Sequence, residues 1–283
     1  MELQAILRLL SDGNYHSGKV LGELLGVSRT AVWKHLQKLG AYGVPLESIK
    51  GKGYRLPGGL ELLDADRIVG SLGPAARVAL SELQLCESVD STNRLAMVRA
   101  QSGGAHGYVC LAEHQTEGRG RRGRRWASPY GQSVYLSAVA EFDGGAAVLE
   151  GLSLAVGVAL VRALRRAGAE GVGLKWPNDV LVDGRKLAGI LLEMSGDVAG
   201  VCQVVVGIGL NVSVAAETAD IDQPWVDVIE LVPDISRNEL VGFVLDELLP
   251  LLQGYQQSGF AAYRDEWEAL HVYRDCDVEL STA

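Results

Sequence analysis

The most unusual stretch of this chain is Gly118-Arg119-Gly120-Arg121-Arg122-Gly123-Arg124-Arg125-Trp126. It places five arginines and three glycines within nine residues of a chain whose formal net charge is -9. Glycines let a backbone approach an anion closely, and guanidinium groups bind phosphate or carboxylate through paired hydrogen bonds. Like charges at this density repel one another unless an anion neutralises them. The stretch therefore predicts an anion-binding loop in which Trp126 can stack on a purine; a general nucleic-acid patch is the alternative.

Four further motifs lie on either side of this loop. They are Asp90-Ser91-Thr92-Asn93, Lys175-Trp176-Pro177-Asn178-Asp179, Gly184-Arg185-Lys186-Leu187-Ala188-Gly189 and Gly207-Ile208-Gly209-Leu210-Asn211. The second offers polar side chains at a strand end, where sites are often built. Lys186 enters an otherwise apolar strand, so it is either an edge lysine or an anion ligand. The glycines of the last motif predict that a ligand or backbone comes close to that strand.

The rest of the region after residue 60 predicts an α+β fold. Strand-like segments fall at 108–113, 132–140, 172–176, 187–194 and 202–212, and helical segments at 149–167, 237–254 and 259–270. Asp183-Gly184 is a tight-turn signal between two strands. Because strands and helices do not alternate strictly, we expect a mixed sheet with helices on one side.

The first 60 residues predict a winged helix-turn-helix. Leu3, Ile6, Leu7 and Leu10 have helical spacing. Ser17 is expected to cap a second helix that buries Val20, Leu21 and Leu24, and Ser28 a third that buries Val32, Leu36 and Leu39. Extended pieces at Pro45–Ile49 and Tyr54–Leu56 flank the basic turn Lys50-Gly51-Lys52-Gly53. Pro57-Gly58-Gly59 then predicts a linker or hinge.

Charge separates this head from the rest of the chain. Residues 1–60 hold eight Lys/Arg and four Asp/Glu, a balance of +4, and residues 61–283 hold 18 and 31, a balance of -13. This asymmetry favours a nucleic-acid head on an acidic body. The candidate DNA contacts are Ser28, Arg29, Thr30, Trp33, Lys34, Lys50 and Lys52. A small helical protein-interaction module is the alternative.

Taken together, the motifs occur in the order and approximate spacing of the biotin–protein ligases. The chain resembles the bifunctional bacterial type, which joins a biotin ligase to a repressor of the biotin operon, from about residue 3 to its end. The loop at 118–126 combined with Lys175–Asp179 is the most specific part. The resemblance implies a winged helix-turn-helix domain over 1–58, a catalytic domain over 64–270 and, over 271–283, the start of a truncated SH3-like barrel whose first strand would begin at Asp277.

The resemblance also implies roles for individual residues. Biotin would be bound by Ser91, Thr92, Asn93, Gln115, Arg119, Gly120, Arg121 and Lys186, and the nucleotide by Arg124, Trp126, Asn178 and Asn211. The catalytic groups would be Arg121, Lys175, Asp179 and Lys186, with Asp179 either a ligand of Mg2+ or a base. The implied substrates are biotin and ATP. The implied partners are a biotin carboxyl carrier protein, operator DNA and, once biotinoyl-AMP is bound, a second copy of the chain.

The residue inventory suits this chemistry. Formation of an acyl adenylate and its attack by an acceptor lysine need positioning and charge stabilisation rather than an enzyme nucleophile. A lipoate or octanoate ligase, and a ligand-sensing repressor with an inactive catalytic domain, are the alternatives.

Two further features bear on the compartment. The four cysteines lie far apart without CxxC spacing, which favours reduced thiols over a zinc site or a disulfide framework. The start Met1-Glu2-Leu3-Gln4 lacks the profile of a signal peptide, and no run approaches a membrane span, so we expect a cytoplasmic protein.

Overall fold

The computed structural model describes residues 2–196, 200–215, 221 and 223–279. Its helices are α1 (Glu2–Leu10), α2 (Gly18–Leu25), α3 (Arg29–Lys38), α4 (Ala65–Ser71), α5 (Pro74–Ala79), α6 (Thr92–Gln101), α7 (Leu152–Arg166), α8 (Val228–Leu231), α9 (Arg237–Ser258) and α10 (Arg264–Leu270). Its strands are β1 (Glu47–Ile49), β2 (Gly53–Arg55), β3 (Glu82–Val89), β4 (Tyr108–Gln115), β5 (Ser133–Phe142), β6 (Val172–Lys175), β7 (Asp179–Val182), β8 (Arg185–Gly196) and β9 (Cys202–Asn211).

The head is the predicted winged helix-turn-helix. The hydroxyl of Ser17 accepts the Val20 amide of α2 at 3.1 Å, and that of Ser28 accepts the Ala31 amide of α3 at 3.2 Å. Strands β1 and β2 pair antiparallel as the wing. A side chain at Gly53, where φ is +114°, would collide with the carbonyl of His16, which pairs with the wing. Glycine is therefore required at that turn.

The burial predicted for α3 is confirmed, and that for α2 is partly wrong. The inward residues of α3, Val32, Leu36 and Leu39, are all buried. On α2, Leu21 is buried, but Val20 and Leu24 are 42% and 62% exposed. The stripe that packs on the head core runs through Leu21 and Leu25, one position further along the helix. The predicted stripe was therefore displaced by about 100°, the rotation of one helical residue.

The body is built on one mixed seven-stranded sheet in the order β3-β4-β5-β9-β8-β7-β6. Strands β3 and β4 run parallel, and the remaining neighbours are antiparallel. Helices α7 and α9 share the large core on one face, as predicted. Helix α6 is the exception, because it packs with Val139 and Val205 on the opposite face. That second face carries the site described below.

Helix α7 lies in the core of the body. The segment Gly145–Arg166 is long and apolar enough to cross a membrane by length and composition. No run of this kind was expected from the sequence. Ten residues of α7 are buried against the sheet and its neighbouring helix. This is the position of a core helix.

The segment after Pro57-Gly58-Gly59 is anchored rather than free. The Glu61 carboxylate accepts hydrogen bonds from the Ser236 hydroxyl at 2.7 Å and from the Asn238 amide at 2.9 Å. The Leu63 amide donates to Glu113 at 2.6 Å, and Glu113 forms a buried ion pair with Arg237. The Leu60 amide also donates to the Ser11 carbonyl at 3.1 Å. A hinge at Pro57-Gly58-Gly59 stays a prediction.

The end of the described chain departs from one expectation. His271 bridges to Leu174, and the Val272 amide donates to the Leu174 carbonyl at 2.9 Å, so this segment covers the edge strand β6. Residues 277–279 have no strand structure, and position 280, the last of the predicted strand, lies outside the described residues. A strand needs a paired neighbour, and the edge of β6 is already occupied by 271–272.

Candidate active site

A cavity of about 750 Å³ opens on the face of the sheet that carries α6. Its walls include eleven of the predicted site residues: Ser91, Thr92, Gln115, Arg119, Gly120, Arg121, Arg124, Trp126, Asn178, Asp179 and Lys186. The volume lies within the range of small-molecule sites, about 300–1,000 Å³. Segments far apart in the sequence thus converge on one cavity.

The arginine loop is a small closed hairpin. The Trp126 amide donates to the Gly118 carbonyl at 2.9 Å, and the Gly120 amide donates to the Arg124 carbonyl at 2.7 Å. A side chain at Gly118 would meet the Trp126 carbonyl and the Ser128 hydroxyl, so this close approach needs glycine. The backbone therefore closes on itself, and all five arginines of the loop line the cavity.

The middle of this hairpin is tied to the motif at 175–179. Nη1 of Arg121 donates to Oδ1 of Asn178 at 3.1 Å, and Nδ2 of Asn178 donates to the Ile190 carbonyl at 2.8 Å. Asn178 therefore links a charged loop to the interior strand β8. The structure brings these two predicted residues into contact on the cavity wall.

Lys186 is an interior residue, not an edge lysine. Strand β8 lies between β7 and β9, and a bulge interrupts its pairing with β7 between Val180 and Leu181. Regular alternation from Gly189 would turn Leu187 towards the cavity. The bulge instead leaves Leu187 in the core and Lys186 on the cavity wall.

The amine of Lys186 has two neighbours in the cavity. It lies 2.8 Å from Oδ1 of Asp179 and 5.4 Å from the centroid of the Trp126 ring. The two charged side chains are only 16% and 19% exposed, so solvent screens this pair less than a surface pair. An anion that enters the cavity therefore finds a fixed, partly dehydrated cation.

Two opposed glycines form the floor below Trp126. Gly189 and Gly209 are directly paired across β8 and β9. A side chain at Gly209 would collide with the indole ring, and one at Gly189 would lie 3.0 Å from it. The close approach predicted at these glycines is confirmed, because the Trp126 ring packs directly against both strands there. The glycine floor therefore gives the Trp126 ring its place on the cavity wall.

The other end of the cavity is polar. Oε1 of Gln115 accepts the Thr92 amide at 2.9 Å, and Nε2 of Gln115 donates to the Ser128 hydroxyl at 3.0 Å. Thr92 opens α6, and Ser91 precedes it on the cavity wall. These groups can exchange hydrogen bonds with a small polar head group.

Three predicted site residues do not line the cavity among the described residues. Asn93 is buried beneath it. Lys175 points outward, 6.0 Å from the centroid of the Tyr273 ring. Nδ2 of Asn211 donates to the carbonyls of Lys186 at 3.2 Å and of Val226 at 3.4 Å, so it fastens the segment around Val226 to β8.

Sequence reasoning missed other residues of this site. Gln223 and Ile190 line the cavity, and Glu193 lies beside Arg119. Ser137 contacts the start of α6 from β5. Apart from the polar character of Glu193 and Ser137 within apolar strands, no local signal marks them. These residues lie close to one another because the pairing register of the sheet places them there.

The environment of two ionisable groups near the site is unusual. Burial raises the pKa of Asp227 to about 7, although its hydrogen bond from the Val214 amide acts in the other direction. Burial lowers the pKa of His114, and the charge of Arg125 lowers it further. Both environments disfavour the charged form at neutral pH.

The described residues do not form a preorganised metal site. No group of three His, Cys, Asp or Glu side chains within them is placed to hold an ion, and the cysteines that they include are free thiols. Asp179, the predicted Mg2+ ligand, faces Lys186 instead. Magnesium binding by Asp179 therefore stays a prediction, and no step below depends on it.

The predicted DNA contacts lie on one end of the head. Arg29, Thr30, Trp33 and Lys34 are exposed along α3, and Lys50 and Lys52 are exposed in the wing turn. The Ser28 hydroxyl already caps α3. The geometry thus presents a helix and a wing together, which is the arrangement that enters a major groove and touches the adjacent backbone.

Comparison with known proteins agrees with both parts of this structure. Residues 85–211 match the biotin/lipoate A/B protein ligase family, and residues 2–55 match a helix-turn-helix domain. The bifunctional ligase/repressor BirA of Escherichia coli is 39% identical over 279 residues, covering 97% of this chain and 84% of that protein. The protein of the same name from Salmonella typhimurium is 40% identical over 279 residues, with the same coverage.

A solved structure shows the same fold. The biotin protein ligase from Aquifex aeolicus, in complex with biotin and ATP, superposes with a TM-score of 0.58 and 30% sequence identity. The match covers 69% of this chain and 80% of that one. The chain therefore belongs to the biotin/lipoate A/B protein ligase family, and its helix-turn-helix head places it among the bifunctional ligase/repressors.

Proposed function

We propose that this protein activates biotin with ATP, transfers it to a lysine of a biotin carboxyl carrier protein, and represses transcription through its winged head. The observation that carries the ligase assignment is the convergence of three features on one cavity. These are the arginine loop, the half-buried cation of Lys186 and the glycine floor below Trp126. A carboxylate, a phosphate chain and a purine can all be bound there together.

We assign the polar end of the cavity to biotin. Ser91, Thr92 and Gln115 would bind its ureido head, because they offer both donors and acceptors in a buried setting. The biotin carboxylate would then extend towards Arg119 and Arg121. The adenine would stack on the Trp126 ring, which lines the cavity.

In the first step, an oxygen of the biotin carboxylate attacks the α-phosphorus of ATP. A new P–O bond forms, the bond to the leaving pyrophosphate breaks, and pyrophosphate keeps the electron pair. Lys186 and Arg121 lie where they can neutralise the charge that builds up on the phosphate oxygens. Asp179 holds the Lys186 amine in place by its 2.8 Å ion pair.

In the second step, the acceptor lysine attacks the acyl carbon of biotinoyl-AMP as a neutral amine. The new C–N bond replaces the C–O bond to AMP, AMP leaves with the electron pair, and the amine gives its proton to solvent. The arginine loop covers the mixed anhydride until the acceptor arrives. Positioning of reactants supplies the catalysis, since no enzyme nucleophile is required.

The regulatory part of the proposal divides the chain at 1–58 and 64–270, with residues 271 onward as a third region. The head binds operator DNA, and a homodimer forms once biotinoyl-AMP is bound, because one head reads only one half-site of a palindrome. The protein acts in the cytoplasm, where ATP, the acceptor and DNA are all available. The relatives named above, which are ligase and repressor in one chain, support this combination.

Exchange of labelled pyrophosphate into ATP tests the ligase assignment without an acceptor. We expect exchange that requires biotin and is not supported by lipoate or octanoate at the same concentration. Lys186→Gln should abolish most of it, because the Lys186 cation faces the cavity. Exchange with lipoate but not with biotin would assign the chain to the lipoate branch of its family, and exchange with none of the three would favour a ligand sensor.

A further inference from the structure

A buried polar chain runs beneath the cavity on the α6 side. Asn93, which is 4% exposed, accepts the Ser137 hydroxyl at 2.6 Å and donates to Oε2 of Glu193 at 2.8 Å. A side chain at Gly207 would collide with Oδ1 of Asn93, so the absence of a β-carbon there makes room for the amide. Glu193 is thus fixed from below through one of its two carboxylate oxygens.

The other oxygen of Glu193 faces the arginine loop. Oε1 lies 3.4 Å from Nη1 of Arg119, and the side chains are 31% and 44% exposed. This separation is long for a hydrogen bond, and half-exposed ion pairs are weak. Glu193 therefore holds Arg119 in a contact that a better-placed anion can replace.

We propose that Glu193 is a positioning residue that neutralises Arg119 while the site is empty and releases it to the carboxylate of biotin. The inference rests on the proposed function, since it names biotin as the incoming anion. Both Arg119 and Glu193 line a cleft of about 580 Å³ beside the loop, and Arg119 also lines the main cavity. Arg119 therefore borders both spaces.

The amide of Asn93 makes this exchange possible at low cost. When Arg119 leaves, Glu193 still accepts the hydrogen bond from Asn93 and remains open to water, so no buried charge is left unpaired. Asn93 is the second residue of α6, directly after the cavity-lining Ser91 and Thr92. Glu193 is therefore held by a residue at the N-terminal end of α6, the same end that lines the cavity.

The test uses Glu193→Gln, which keeps an oxygen for Asn93 and removes the charge opposite Arg119. Trypsin cleavage within residues 118–126 of the ligand-free protein, mapped by fragment masses, should become about two- to fivefold faster, the range of a weak ion pair. Biotin should bind about two- to fivefold tighter by calorimetry, because no competing anion remains. Biotinamide, which lacks the carboxylate charge, should bind as it does to the wild type.

A double-mutant cycle separates this role from a general structural one. In an Arg119→Gln background, Glu193→Gln should change neither cleavage nor biotin affinity. Equal effects in both backgrounds, equal shifts for biotin and biotinamide, or unchanged cleavage would each overturn the inference. If Glu193→Gln does not fold, Glu193→Asp, which withdraws the carboxylate from Arg119, should show the same faster cleavage. Wild-type protein that binds no biotin would refute the proposed function instead.

Discussion

Arg121 occupies the centre of the loop hairpin and contacts Asn178 at 3.1 Å. Its charge-assisted hydrogen bonds to a bound acyl phosphate would contribute roughly 1.5–3 kcal/mol. We therefore expect Arg121→Gly to speed the release of biotinoyl-AMP by about tenfold to a hundredfold. A pulse-chase of the labelled intermediate measures this rate, and stray biotinylation of a bystander protein should accompany it.

The matched control for this loop is Arg122→Gly. It removes the same charge at a residue whose φ is 55°, a backbone conformation that glycine adopts without strain. Within the described residues, the Arg122 side chain forms no hydrogen bond. Release from this variant should stay within about threefold of wild type, since one screened charge contributes less than 1 kcal/mol. Equal release from both variants would show that the loop charges are interchangeable.

Asp227 gives the protein a pH-dependent stability. Burial raises its pKa from 3.8 to about 7 in the folded state, so folding favours the protonated carboxyl. That contribution is complete below the unfolded pKa and is lost as pH rises through about 7. Between pH 4 and 8, wild type should lose about 1–3 kcal/mol of unfolding free energy relative to Asp227→Asn, measured by urea denaturation. Parallel pH profiles would contradict this assignment.

The functional role of a residue can be predicted from the sequence in some cases and not in others. The arginine loop stands out because it concentrates positive charge in an acidic body, and Lys186 because it enters an otherwise apolar strand. Both line the cavity. Glu193 and Ser137 lie on separate strands and meet Asn93 only through the sheet register. Asn211 looked like a ligand residue, yet its amide is used by backbone carbonyls. A sequence shows residue types, but not which polar groups the fold has already satisfied.

Among the secondary-structure elements, the wing formed by β1 and β2 allows the most direct test of DNA binding. Lys52 is exposed in the turn between β1 and β2, with its amine 5.6 Å from the centroid of the Tyr15 ring. Lys52→Ala should weaken binding to duplexes of any sequence and reduce the salt slope by about one. Titrations of mixed-sequence duplex DNA at several salt concentrations measure both effects.

Arg264→Ala provides the control for the wing variant. It removes one exposed positive charge from α10, outside the head. Its salt slope should match that of wild type. If Lys52→Ala also kept the wild-type slope, the wing would not contact phosphate.

Elements with strong local patterns were predicted well. The capped helices of the head and the long apolar helix α7 follow directly from periodicity. Strand β7 (Asp179–Val182) was not among the predicted strands, because its three consecutive apolar residues show no alternation. Strand β3 has alternating Leu83 and Leu85, but it is only half-buried and gave a weak signal. The bulge that exposes Lys186 could not be predicted, since it depends on pairing between β7 and β8.

At the scale of the whole molecule, the head rests directly on the segment that follows the arginine loop. Tyr130 is buried in the head core, and its amide donates to the Tyr42 carbonyl at 2.8 Å. The ring of Tyr42 meets that of His114 edge-on at 4.9 Å, and His114 precedes the cavity residue Gln115. Contacts between residues so far apart in the chain had no sequence signal. They give the ligand site a physical connection to the DNA-binding head.

We expect the cavity to make biotinoyl-AMP and to pass biotin to a protein lysine. Intact-mass spectrometry can follow this transfer on a biotin carboxyl carrier domain that is incubated with this protein, ATP and biotin. The mass of the acceptor should increase by one biotinoyl group on a single lysine, only when ATP and biotin are both present, and lipoate should not replace biotin. An acceptor of unchanged mass, despite biotin bound to the protein, would contradict it.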